Sequence, residues 1–306
     1  MKIGLIDVDG HNFPNLALMR ISAYHKACGD TVEWWWNDFE HYDIVYMSKI
    51  FSDAYTKDVP APLNADKVIK GGTGYCISLN ENGREVYDKS KDVALSDEIE
   101  RMFPDYSIYP QFDFAVSMTS RGCPRGCAFC HVAAKEGRCS VKVADVSDFW
   151  NGQAHIDVLD PNITACADKR ELFRQYRETG ATINFNQGLD IRLLDDADID
   201  DINAMRISAL HFAWDNPKDD LKDKFGYFAK RFRRNSNIGM VYCLAGFNST
   251  MDENLYRIYA LRDMGYDPYV MIYDKPNAPQ ELRDLQRWCN NKIIFKSCRR
   301  FEDYRR

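Results

Sequence analysis

Strand-like apolar runs separated by helix-length segments recur along this chain, and that alternation restricts its fold more than any other feature. Lys2–Val8 has the unbroken apolar run of a buried strand, and residues 31–36, 43–50 and 67–70 read as three more. Pro14 suits a first helical turn, and Leu18, Ile21 and Cys28 follow near one face, so a helix is expected over Pro14–Cys28. Strands spaced in this way predict a small parallel α/β domain, Rossmann-like, over residues 1–80. Residues 81–111 are polar, carry Pro104 and Pro110, and read as a linker.

The rhythm restarts at Phe112. Phe114–Met118, Ile156–Leu159, Thr182–Phe185, Ala209–Ala213, Ile238–Leu244 and Pro268–Tyr273 are strand candidates. Helical segments at Lys169–Glu178, Ala197–Met205, Asp220–Arg233 and Asn254–Met264 intervene. This predicts an α/β fold of TIM type, a partial (β/α)6 barrel over residues 112–275, with its chemistry at the C-terminal ends of the strands. A helical extension, 276–306, is expected to follow.

The 306 residues are 45% apolar with a net charge of −6, which excludes a disordered chain, a collagen-like repeat and a polycationic tail. No apolar run approaches the roughly 20 residues that span a bilayer. Asp7 interrupts the N-terminal run too early for a signal peptide, so a soluble, cytoplasmic protein without a membrane partner is expected. In a reducing compartment the ten cysteines serve packing, a metal site or catalysis. Seven are scattered. Cys123, Cys127 and Cys130 stand together.

In Cys123-Pro-Arg-Gly-Cys127-Ala-Phe-Cys130, three thiolates share a short loop with Gly126. Zinc prefers four ligands, typically from two cysteine knuckles, and no second knuckle is present. Soft thiolates in this number suit an iron–sulfur cluster. The C-x-x-x-C-x-x-C spacing, with aromatic Phe129 before the last cysteine, resembles the signature of the radical SAM superfamily, over residues 112–275. That resemblance implies a [4Fe–4S] cluster on Cys123, Cys127 and Cys130, with one iron open to the amino and carboxylate groups of S-adenosylmethionine. It implies an oxygen-sensitive enzyme that takes an electron from an external flavodoxin- or ferredoxin-like donor. Reductive cleavage would yield a 5′-deoxyadenosyl radical that abstracts hydrogen from a substrate the sequence does not name.

The resemblance also assigns cofactor contacts at the strand ends. Phe129 would lie against adenine, and Asp160 and Asn162 would meet the methionine amino group, although the family's usual Gly-Gly-Glu is missing. Asp215 is placed to bond the ribose hydroxyls, and Gly246 to let backbone approach adenine. Gln187, Asp190 and Arg192, after the third strand, are the candidates to orient substrate; Asp190 paired only with Arg192 is the competing structural role. Singly, each strand-end residue reads equally well as a turn or cap.

Asp9-Gly10-His11, Ser48 and Gly71-Gly72 are similar in order to the D-x-H-x-x-G, S-x-L, G-G pattern of cobalamin-binding domains. Pro14 replaces that pattern's glycine and Ile50 its leucine, which favours a domain that kept the topology and lost the cofactor. Two alternatives stay open: a cobalamin-dependent methyltransferase, and a non-catalytic iron–sulfur electron-transfer or sensor protein with His131 as a fourth ligand. Trp34–Trp36 read as core or as a substrate wall. The stretches 230–234 and 299–306 are basic with interleaved aromatics, a weak pointer to nucleic acid beside the plainer reading of a solvated face.

Overall fold

The computed structural model describes residues 1–37, 39–81, 83–233 and 239–304. Four parallel strands, β1 (Lys2–Asp7), β2 (Thr31–Trp34), β3 (Tyr42–Ser48) and β4 (Ala65–Gly71), pair in the order β2-β1-β3-β4. The helix α1 (Leu16–Ala27) starts two residues after Pro14, because the Asn15 side chain caps it by accepting from the Leu18 N–H at 3.2 Å. With β1 central, the chain crosses first to one side and then to the other, which leaves a crevice between the C-terminal ends of β1 and β3.

Residues 81–111 do not form the expected linker. They pair in part as a hairpin, β5 (Ile77–Leu79) with β6 (Glu85–Tyr87), and continue into a short helix, α2 (Asp97–Glu100). Leu95, Ile99 and Ile108 pack against Ile3, Leu5, Leu18 and Ile21, so this polar-looking segment covers one side of the first sheet. Three spaced apolar residues suffice for that, and the surrounding charges conceal them in the sequence.

The second sheet contains β7 (Ala115–Ser117), β10 (His155–Val158), β11 (Thr182–Leu189), β12 (Arg206–Ala213), β13 (Met240–Ala245) and β14 (Asp267–Ile272). A separate two-stranded ribbon, β8 (Ser120–Arg121) with β9 (Val141–Lys142), follows β7. All six strands of the second sheet are parallel, in the order β7-β10-β11-β12-β13-β14. Winding in one direction with right-handed crossovers puts every intervening helix on the same face. These helices are α4 (Lys169–Thr179), α5 (Asp196–Ala204), α6 (Lys222–Arg231) and α7 (Met251–Asp263), after α3 (Val132–Glu136) in the cysteine segment. Ile156, Val158, Ile183, Phe185, Phe212 and Val241 form the main core with Phe173, Ile199, Phe228 and Leu261 of the helices.

This is the expected α/β fold with the strand order of a partial barrel, and β7 and β14 remain its two edges. The strand read at Ile238–Leu244 begins at Met240; Ile238 lies outside the described residues. The expected C-terminal helices, α8 (Gln280–Asn290) and α9 (Lys292–Ser297), cover β14 with Leu285, Trp288 and Phe295. Among the described residues no helix is long and apolar enough to cross a membrane.

Candidate functional site

β7 ends at Ser117, and the chain runs through β8 into the cysteine loop at the C-terminal edge of the sheet. A buried carboxylate straps that entry in place. Asp160 accepts from the Thr119 N–H (2.9 Å) and hydroxyl (2.7 Å), and from the Ser120 N–H and hydroxyl (2.7 Å). Burial pushes its carboxyl up to about 6 despite those bonds. Asp160 is therefore turned to its own chain, and its oxygens are not offered to a cofactor as the resemblance implied.

The loop closes through Gly122, at φ +89°, where a Cβ would stand 2.0 Å from the Cys139 carbonyl oxygen. The Cys123 N–H donates to the Gly137 carbonyl, the Gly122 N–H to Glu136 of α3, and the Cys130 N–H to the Cys127 carbonyl. All ten cysteines are free thiols; Cys123 and Cys127 are half-buried and Cys130 is exposed. Burial raises the Cys127 and Cys130 thiols, and the neighbouring cysteines and Asp215 raise them further. The Asn162 amide donates toward the Cys123 sulfur at 3.4 Å.

From Asn162 a polar chain leads to the next strand end. The Thr164 hydroxyl donates to Asn162 Oδ1 (2.7 Å) and accepts from the Asp190 N–H (3.0 Å). Asp190 takes Arg125 of the cysteine loop at 2.6 Å and Arg192 at 2.7 Å, and Arg192 also reaches Asp219 at 3.0 Å. Burial opposes ionisation of Asp190, but Arg192 and then Arg125 outweigh it and hold the carboxyl below its usual range. Asp190 thus fastens the cysteine loop to the end of β11. Gln187 is exposed, with no hydrogen-bond partner among the described residues.

Asp215 follows β12, and its Oδ1 accepts from the Leu244 N–H at 3.0 Å while burial raises the carboxyl. Its Oδ2 has no hydrogen-bond partner among the described residues. Arg257 of α7, 1% exposed, donates to the carbonyls of Trp214, Asp215 (2.9 Å) and Leu244 (2.9 Å), tying the ends of β12 and β13 together. Gly246, at φ +82°, comes next, and the Phe129 ring meets Phe247 at 5.6 Å. Asn162 and Asp215 thus stand near the cysteines, and Phe129 of their loop meets Phe247, the residue after Gly246. Arg125, Arg257 and Asp219 were not singled out from the sequence. Arg257 was detectable as a charge on the helix face shared by Ile258 and Leu261.

Among the described residues, no three His, Cys, Asp or Glu side chains converge as ligands of one metal ion. A polynuclear iron–sulfur cluster needs a different arrangement, since each thiolate binds its own iron and the sulfurs need only line one space. Three thiols on one loop, with Cys123 near enough to raise both Cys127 and Cys130, fit that requirement. His131 is directed elsewhere, with Nε2 3.6 Å from Glu85 of the hairpin.

In the crevice of the first sheet, the residues of the cobalamin-like pattern bond and pack largely within the chain. The Asp9 carboxylate accepts from the N–H groups of Ile50 and Phe51, and the Ser48 hydroxyl accepts from Asn15 (2.8 Å). A Cβ on Gly72 would stand 2.3 Å from the Lys49 carbonyl oxygen, so close packing within the chain accounts for this glycine. His11 is exposed, its ring 4.2 Å from Trp34. Trp34 and Trp35 pack on opposite faces of that sheet, and Trp36 is exposed. Of the basic stretches, Arg231 pairs with Asp196 and Asp200 and Arg300 with Glu302, whereas Arg234, Arg305 and Arg306 lie outside the described residues. No protein-family model matches this chain, and no curated protein is significantly similar to it.

Proposed function

We propose that this chain is a radical SAM enzyme in which Cys123, Cys127 and Cys130 hold a [4Fe–4S] cluster. The observation that carries this reading is the strapped loop itself: three thiols at the C-terminal end of β7, beside Asp215 and close to Phe129 and Gly246. When bound and reduced by an external flavodoxin- or ferredoxin-like donor, the cluster supplies the electron that cleaves S-adenosylmethionine to a 5′-deoxyadenosyl radical.

The chain's own residues do the positioning. Asp160 fixes the loop entry, and Asn162 directs an N–H at the Cys123 sulfur, which orients it. Asp215 Oδ2 is the acceptor for ribose hydroxyls. Phe129 and Phe247 offer ring edges to the adenine, and Gly246, at φ +82° with Leu282 against the place of its Cβ, turns the backbone that carries Phe247. Arg125 and Arg192, both drawn to Asp190, hold the loop at the sheet edge. A reducing compartment, the cytoplasm, suits ten free thiols.

Anaerobic reconstitution is expected to give about four irons per chain by cluster stoichiometry. The reduced protein is expected to release 5′-deoxyadenosine from S-adenosylmethionine. The triple Cys→Ala variant should lose both properties; full iron retention by that variant, or no 5′-deoxyadenosine from the reconstituted protein, overturns the proposal.

A further inference from the structure

The face of the six-stranded sheet turned away from the helices carries a strip of polar and aromatic side chains across five neighbouring strands. Asp157 (β10), Asn184 (β11), His211 (β12), Tyr242 (β13) and Tyr269 (β14) alternate with residues such as Ile156, Phe185, Phe212 and Val241 that face the helical core. Asn184 Nδ2 donates to Asp157 Oδ1 at 2.9 Å, and Asn184 Oδ1 is buried with no partner among the described residues. His211 Nδ1 lies 3.1 Å from the Phe185 carbonyl, which only an N–H can serve, so the neutral ring presents Nε2 as an acceptor. Neither Asp157 Oδ2 nor His211 Nε2 has a hydrogen-bond partner among the described residues. Asp157 is half-buried, and the basic groups that act on it are the histidines His211 and His155. The strip thus presents His211 Nε2 and Asp157 Oδ2 as open acceptors, the carboxylate having only histidines as basic neighbours, an arrangement that donors from a ligand would complete. Beside them, the His211 and Tyr242 rings stack at 5.8 Å with 13° between planes, and Tyr269 meets Tyr242 edge-on at 5.8 Å.

We infer that this strip recognises a planar nitrogen heterocycle bearing adjacent ring N–H and amino donors, the donor edge of a guanine-type ring, laid against His211 and Tyr242. Naming that ligand the substrate rests on the enzymatic reading above; binding does not. Two parallel N–H donors match a carboxylate at both oxygens or at one oxygen and a neighbouring acceptor. An adenine-type edge, with one amino donor beside a ring acceptor, sets acceptor against acceptor.

Calorimetric titration of the full chain without S-adenosylmethionine tests this, using guanosine, inosine, which lacks only the amino donor, and the guanidinium compound agmatine. Guanosine is expected to bind at least about tenfold more tightly than inosine, a margin of one charge-assisted bond. Asp157→Asn should abolish that preference, and Tyr242→Ala should weaken both nucleosides alike. Equal affinities, no binding by guanosine, or binding by agmatine alone overturn the inference. The wild-type preference is read without any variant, so misfolding of a variant does not remove the test. Guanosine preference without 5′-deoxyadenosine formation would refute the activity and leave this surface standing; the reverse result would do the opposite.

Discussion

Single side chains in this protein are set by what burial leaves them to bond. Burial lifts Asp7 to about 6 from 3.8, against the opposing bond from the Tyr109 hydroxyl at 2.7 Å. An acid whose folded value is raised contributes stability below its unfolded value, and that contribution is lost as pH rises through the folded one. Asp7→Asn keeps an acceptor for Tyr109 and removes the charge. Its melting temperature is expected to match wild type near pH 3 and to exceed it above pH 6. The gain is about 1–3 kcal/mol after discounting for partial exposure. A constant difference across that range would remove Asp7 as the cause. At Asp215, replacement by Asn retains an acceptor for the Leu244 N–H. Affinity for S-adenosylmethionine should then fall about tenfold with melting no lower than wild type, since burial raises this carboxyl too; a parallel loss of stability would mark Asp215 as a strand tie alone.

Among the elements, the cysteine loop depends most on backbone geometry. Gly122 and Gly137 both have positive φ, but only at Gly122 would a side chain meet the chain opposite, the Cys139 carbonyl oxygen. Gly137→Ala should cost the strain of its glycine-only backbone conformation alone, about 1–3 kcal/mol. Gly122→Ala should cost more than that and should lower the iron bound after reconstitution, as urea midpoints and iron content would show. Equal effects would mean that the loop tolerates displacement. The cysteine spacing was legible in the sequence because it is local, whereas the strap from Asp160 was not. Asp160 sits at a strand end where a ligand role and a tie to Thr119 look alike until the neighbouring strand is in place.

Across the whole molecule the two sheets are joined through a shared carboxylate. Glu100 of α2 pairs with Arg20 of α1 at 2.6 Å and with Arg121 of β8 at 3.1 Å, and the Arg20 side chain is only 7% exposed. Glu100→Ala strands that guanidinium and should lower stability by about 3 kcal/mol in urea unfolding; an unchanged midpoint would show that the pair adds nothing. The α1 cap, the strand order and the helix-facing core follow from local chemistry and from apolar runs at strand and helix spacing, so the sequence by itself determined the α/β fold and the position of the cysteine loop. What a half-buried strand presents on its other face depends on which strands become its neighbours. Asp157, Asn184 and His211 are ordinary polar residues in sequence and form one row of acceptors only across three paired strands. The same holds for Asp190, whose second arginine comes from the cysteine loop, 65 residues away. Tertiary structure alone decided these, because a hydrogen bond is specified by distance in space and the sequence records only distance along the chain.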